Sequence, residues 1–183
     1  KYILEVKREK GSQWSFSALG FKTSYMAMAD FTPRDNLSLS LMYQLSKEDN
    51  WLNWIEDNLL GIYKSKQRVT VASMNWFGGD KHELRMKAQM VAFTARQPGA
   101  YLGDATGSLN PIEMALPPFS LSDLAFQVRY RYEILPLAYL YVVYSKGGRI
   151  VELDEEDSLG ELYKRPWDDP QADNFTVKVR YRF

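Results

Sequence analysis

Apolar and polar residues alternate along most of the chain, and this two-residue period is the feature that most narrows its possible folds. The clearest example is the C-terminal stretch 174–183. Its apolar positions are Phe175, Val177, Val179, Tyr181 and Phe183. Successive side chains point to opposite faces of a β-strand, whereas in a helix these residues would scatter around the axis. The stretch is therefore predicted to be a strand with one apolar face and one largely basic face.

The same period recurs in residues 37–45, 83–92 and 123–134. Each stretch has about the 9–11 residues with which a tilted strand crosses a bilayer, and alternation of apolar and polar positions is typical of membrane β-barrels. Less regular candidate strands are 2–8, 13–21, 24–32, 63–76 and 138–145. The pattern predicts an all-β chain that folds as an antiparallel up-and-down transmembrane β-barrel.

Composition narrows the possible functions. The longest apolar run, 137–144, is far shorter than the roughly 20 residues that a transmembrane helix needs. With 23 Lys and Arg against 23 Asp and Glu, the neutral chain gives no reason to expect a nucleic-acid partner. Cysteine is absent, and the single histidine, His82, has neither a triad partner by spacing nor the second histidine of a zinc motif. We therefore expect a protein that is not an enzyme.

Two kinds of connection join the predicted strands. Short ones at 33–36, 78–81 and 135–137 carry residue types that tight turns need. Long ones, at about 95–120 and 147–172, are rich in Gly, Pro and acids. Outer-membrane barrels place such long loops outside and their short turns in the periplasm.

The candidate strands number nine, whereas bacterial single-chain barrels use even numbers. We therefore expect residues 1–183 to form one domain that supplies the C-terminal strands of a larger barrel, unless one strand is wrongly assigned. The first residue is Lys1, which agrees with a mature product or a fragment.

One stretch, 50–63, does not alternate clearly. Trp51, Trp54, Ile55 and Leu59 fall at helical spacing, so a short amphipathic helix is one interpretation. An extended or irregular segment is the interpretation that we favour, because the flanking connections leave little room for a docked helix.

The C-terminal strand, which ends on Phe183, resembles the assembly signal that the insertion machinery of bacterial outer-membrane barrels reads. A wider resemblance covers about 58–183. It is carried by residues 58–63 (NLLGIY), 66–68 (KQR), 75–87 (NWFGGDKHELRMK), 129–137 (RYRYEILPL) and 140–148 (LYVVYSKGG). These segments are similar to the C-terminal barrel domain of an uncharacterised bacterial outer-membrane protein family.

The resemblance implies an integral protein of the outer membrane, surrounded by lipid and lipopolysaccharide. The barrel-assembly machinery and other envelope proteins would be its partners. Longer members of the family carry a periplasmic module, similar to carbohydrate-binding domains, ahead of the barrel. Nothing in this chain resembles that module, so the resemblance implies no sugar-binding role for these residues.

Cations would line the lumen of the predicted barrel, at Arg85, Lys87, Arg129, Arg131, Lys178, Arg180 and Arg182. A Lys or Arg that faced lipid at the midplane would cost about 2–4 kcal/mol, so these faces are assigned to the interior. Such a wall could favour anions in a pore. The alternative, which we favour, is that Glu83, Asp123 and Glu133 neutralise it in a salt-bridge network.

An acidic segment in the second long loop contains Asp154, Glu155, Glu156 and Asp157. Carboxylates in a flexible loop suit Ca²⁺, and divalent ions also bridge such loops to lipopolysaccharide. The spacing does not match the EF-hand calcium loop, so a solvated surface loop without a cofactor is the favoured interpretation.

Three functional hypotheses remain. The first is a non-catalytic outer-membrane barrel that acts as a pore or as the membrane scaffold of a larger envelope assembly. The second is a barrel subunit of an uptake or secretion complex, whose outer loops bind a partner protein or a glycan. The third is a soluble β-barrel that buries its apolar faces and binds a small apolar ligand.

Overall fold

The computed structural model describes residues 1–10, 21–153 and 158–181. Within these ranges the chain forms one sheet and one α-helix, α1 (Glu161–Asp168). The strands are β1 (Tyr2–Lys10), β2 (Phe21–Arg34), β3 (Leu37–Glu56), β4 (Leu59–Gly78), β5 (His82–Gly103), β6 (Leu109–Ile112), β7 (Phe119–Leu135), β8 (Ala138–Leu153) and β9 (Ala172–Arg180). The candidate strand 13–21 lies almost entirely outside the described residues.

Neighbouring strands are antiparallel and follow the chain in the order β1-β2-β3-β4-β5-β7-β8-β9, while the four-residue β6 pairs only with the end of β5. The predicted all-β, antiparallel up-and-down architecture is confirmed. The sheet of described strands is not closed, because β1 and β9 remain as its two edges.

The three predicted short turns are all present. They join β2 to β3, β4 to β5 and β7 to β8. Gly79 in the second turn has φ +63°, and Leu137 in the third has φ +68°. The first turn is tied to the second by Asn36, whose side-chain amide donates a hydrogen bond to the carbonyl oxygen of Phe77 at 2.8 Å.

The two long connections are shorter than predicted. β5 continues to Gly103 and β8 to Leu153, so strand structure occupies part of both 95–120 and 147–172. Gly and Pro in these stretches suggested loops, but a register shift opposite Ile62 and Lys64 accommodates Pro98 without ending the pairing of β4 with β5.

The segment 50–63 is extended, and the helical interpretation is wrong. β3 runs through Trp54 to Glu56, a turn follows, and β4 begins at Leu59. A bulge in β3 between Glu48 and Trp51 breaks the alternation. This inserted residue explains why the apolar positions do not fit a two-residue period.

The two faces of the sheet differ between its halves. In the half next to the short turns, one face carries the apolar residues of every long strand, and we call it the band face. On β3 the band face includes Leu39, Leu41 and Tyr43, which are exposed, and Leu41 is 51% exposed. The opposite face carries polar side chains, and Ser46 there is only 4% exposed.

In the half far from the short turns the polarity is reversed. On the side of the opposite face, Trp51, Tyr63, Phe93 and Phe119 form an aromatic cluster with ring centroids 5.0–6.1 Å apart. Here the band face carries the cross-strand pairs Lys47–Lys66 and Lys64–Arg96. This half therefore has the polarity expected of a sheet in water.

Helix α1 lies on the band face where the two halves meet. It buries Leu162 and Pro166, and it covers Leu124, which is 2% exposed. Trp167 contacts Phe126 with a ring-centroid distance of 5.3 Å. The predicted loop 147–172 thus contains a helix that packs on the sheet.

Ser158 and Glu161 exchange hydrogen bonds in the turn that leads into this helix, whose N-cap is Gly160. The backbone N–H of Ser158 donates to the Glu161 carboxylate at 2.9 Å, and the backbone N–H of Glu161 donates to Ser158 Oγ at 3.2 Å. The hydrogen bond from the Ser158 backbone lowers the pKa of Glu161. The pattern Ser-x-x-Glu at 158–161 is a helix-start signal that can be read from the sequence alone.

Gly147 provides a first test of the packing. An added Cβ would lie 2.5 Å from the carbonyl oxygen of Leu124 on the neighbouring strand. We therefore expect Gly147→Ala to lower the free energy of unfolding by about 1–3 kcal/mol, measured by urea unfolding with tryptophan fluorescence. Gly79→Asn is the control, because nothing lies within 4 Å of a Cβ there and Asn tolerates positive φ. Equal effects of the two substitutions would contradict the close approach at Gly147.

Candidate functional site

The cations assigned to the lumen come together on the opposite face, next to the short turns. Cross-strand pairing places Arg85 of β5 beside Arg129 of β7. Tyr141 of β8 pairs with a residue of β7 on one side and of β9 on the other. We call this group the basic wall. Its described members are Arg85, Lys87, Arg129, Arg131, Lys178 and Arg180. Arg182 lies outside the described residues.

Glu83 is the acidic centre of the basic wall. Its side chain is only 8% exposed and makes ion pairs with both Arg85 and Arg131, the second at 2.8 Å. Each carboxylate oxygen therefore has a guanidinium partner. Because the two arginines are 55% and 39% exposed, water screens part of this attraction.

A second ion pair lies farther along the same face. Arg149 contacts Asp123 at 2.8 Å through two hydrogen bonds from its guanidinium. The predicted salt-bridge network thus exists in part, through Glu83 and Asp123. Within the described ranges these two carboxylates do not balance the basic wall, which keeps an excess of positive charge.

Aromatic side chains support the basic wall from β8. The Arg131 guanidinium lies 5.3 Å from the centroid of the Tyr139 ring, a cation–π contact. Tyr141 is the cross-strand partner of both Arg131 and Lys178. The sequence alone does not indicate this role for the two tyrosines, because it depends on the register of β8 between β7 and β9.

The described residues of the C-terminal strand have the predicted alternation. Phe175, Val177 and Val179 lie on the band face, opposite Tyr144, Val142 and Leu140 of β8. They are exposed, as is Tyr181 just beyond the strand. Phe183 lies outside the described residues, so its part in the assembly signal stays a prediction.

His82 begins β5 on the band face. Its Nδ1 shares a 2.7 Å hydrogen bond with the Tyr130 hydroxyl, and its ring lies 4.8 Å from that of Tyr132. The three side chains form a polar and aromatic group at the ends of β5 and β7 that lie next to the short turns.

Metal binding has no support from the part of the chain that the structure describes, where no group of three or more His, Asp and Glu could hold an ion. The acidic segment Asp154, Glu155, Glu156 and Asp157 lies outside that part. Its role as a Ca²⁺ site therefore stays a prediction. In the same part of the chain, no helix is long and apolar enough to cross a membrane.

No protein-family model, curated protein or solved structure matches the chain. The resemblance to an outer-membrane barrel domain therefore stays a prediction.

The ion pair at Glu83 can be measured with a double-mutant cycle. We expect Glu83→Gln and Arg131→Gln to show a coupling energy of about 1 kcal/mol in urea unfolding, because the carboxylate is buried while the arginine is partly exposed. The cycle Asp123→Asn with Arg149→Gln is the control, since its 2.8 Å contact is more exposed. Its coupling should be smaller. A larger coupling energy for the Asp123–Arg149 pair would contradict the expectation that the buried Glu83 makes the stronger ion pair.

Proposed function

We propose that the chain is part of a non-catalytic β-barrel integrated in the bacterial outer membrane, where it acts as a pore or as the membrane scaffold of an envelope assembly. The observation that carries this proposal is the polarity of the half next to the short turns, which is opposite to that of a sheet in water. There, large apolar side chains are exposed on one face while polar side chains and the basic wall occupy the other.

Exposed apolar residues alone would be unremarkable, since much protein surface is apolar. The band face differs because its apolar residues continue from strand to strand. Phe31, Leu41, Phe175 and Val177 are exposed on three different strands. A contiguous apolar surface of this kind marks contact with lipid or with another protein.

The dimensions of the band face fit a bilayer. Its apolar residues on β3 occupy 37–45, close to the 9–11 or so residues with which a tilted strand crosses the hydrocarbon. β5 is 22 residues long, about twice what crossing needs. The far half, with the polarity of a sheet in water, would then extend beyond the membrane.

Residues at the two limits of the band face are typical of a membrane interface. Tyr130, Tyr132 and His82 lie at the limit next to the short turns, and Trp167 of α1 lies at the other limit. Rings that combine an apolar body with a polar group favour the headgroup region. Helix α1, with Trp167 exposed beside buried Leu162, has the form of an interfacial amphipathic helix.

Closure is required by this proposal. A bilayer core offers no water to the N–H and C=O groups of an edge strand, so spanning sheets must close. Edges β1 and β9 therefore pair in the membrane with further strands or with each other. The expected larger barrel would supply such strands.

Neighbouring residues of β3 test whether the band face meets lipid rather than water. If the band face meets lipid, Leu41→Lys near the middle of the band should cost about 2–4 kcal/mol of folding free energy in bilayers, while Ser40→Lys on the opposite face should cost less. In a soluble barrel that buries its apolar face, Leu41→Lys would also be unfavourable, so the partition of the wild-type protein is what separates the two alternatives.

The measurement is the fraction of protein that shows heat-modifiable migration after folding into lipid vesicles. Normal folding of Leu41→Lys would contradict contact of the band face with lipid, and partition of the wild-type protein into the aqueous phase without detergent would favour the soluble barrel.

Pore and scaffold differ in conductance. If the protein is a pore, planar-bilayer recording should detect channels that prefer anions, because the basic wall has more cations than carboxylates. Lys178→Gln should reduce the anion preference, whereas Lys1→Gln, which lies outside the wall, should not. Folded, inserted protein without channels would leave the scaffold version.

A further inference from the structure

We propose that Arg85, Arg129, Arg131 and Tyr141 form a binding site for a phosphate-type oxyanion on the basic wall. This inference rests on the proposed function, because it names the class of solute that the inner surface of the barrel would take. It goes beyond a general preference for anions, since it assigns a discrete site with named donors.

Two like charges that face each other directly are the first observation. Arg85 of β5 and Arg129 of β7 are cross-strand partners. Like charges at directly opposed positions destabilise a sheet. A bound anion between them would turn this repulsion into two favourable contacts.

Of the residues that the structure describes, Glu83 is the only carboxylate that lines the space between these arginines, and it is already ion-paired. Glu83 uses one oxygen for Arg85 and the other for Arg131. Three guanidinium groups thus share one carboxylate, and two positive charges remain in excess. Among the described residues, Arg129 has no ion pair.

Neighbouring strands do not supply the missing negative charge. On the β4 side, Arg85 faces Asn75, which is neutral. On β9, the residue opposite Tyr141 is Lys178, a further cation. Glu133 of β7 lies on the same face, but it is not among the residues that line the space between the arginines. Its cross-strand partner on β8 is Tyr139.

A cavity lies between these groups. Its volume is about 230 Å³, and it is lined by Glu83, Arg85, Arg129, Arg131 and Tyr141. At about 30 Å³ per water, the space corresponds to roughly eight waters, enough for one small oxyanion with part of its hydration shell.

The chemistry of the donors selects the class of ligand. A guanidinium offers paired N–H donors that match two oxygens of a phosphate or a carboxylate. Arg85 and Arg131 are held in place by Glu83, and Arg131 also by the Tyr139 ring. Fixed donors lose less entropy on binding, which favours an oxyanion with several oxygens over chloride.

Calorimetric titration with inorganic pyrophosphate tests the site on the folded protein in a neutral detergent. We expect binding that weakens as salt is added, and Arg129→Gln should weaken it about tenfold to a hundredfold through loss of a charge-assisted contact. Chloride at equal ionic strength should not compete. Glu83→Gln should instead strengthen binding, because the amide still occupies the position beside Arg85 and Arg131 but removes the negative charge that repels an anion.

Arg34→Gln is the matched control. It removes an exposed arginine at the same end of the sheet, in β2, away from the cavity. Equal losses in Arg34→Gln and Arg129→Gln, or no effect of Glu83→Gln, would overturn the site in favour of diffuse charge attraction. Failure of pyrophosphate to bind a heat-modifiable, folded protein would overturn the site alone. Loss of heat-modifiable migration in the wild type would instead contradict the membrane proposal.

Discussion

The cross-strand register is the constraint on which the rest of the structure depends. The long strands pair in chain order, with β5 next to β7, so the position of its partner assigns each paired residue to a face. Leu41 shares the band face with Ala29 and Ala72, and a slip of β3 by one residue would put Ser40 or Met42 where Leu41 now lies. The basic wall is a product of the same register, since its cations come from strands that are distant in sequence.

Much of this arrangement was predictable. The regular alternation of 123–134 is sufficient to assign both faces of β7, and the residues at the three short turns correctly predicted the hairpins. Alternation alone also predicted that Arg85, Arg129 and Lys178 share a face. Any antiparallel pairing that brings the apolar residues onto one face puts these cations on the other.

Other features depended on pairing that a single sequence does not reveal. The ion pairs of Glu83 required its exact neighbours on β5 and β7, and alternation cannot choose between Arg131 and Arg129. The continuation of β5 past Pro98 required a bulge whose partner is β4. Likewise, the bulge near Trp51 gives the apolar residues a spacing that resembles that of a helix, because one inserted residue moves all later side chains to the other face.

The order of the strands has a topological consequence. In the described part of the chain, eight strands lie along the antiparallel path, so β1 and β9 run in opposite directions. If the two edges paired with each other, that contact would be antiparallel like the others. Any inserted segment that kept the whole ring antiparallel would have to add strands in twos. An all-antiparallel barrel that contains these strands would therefore have an even number of strands, whatever the total.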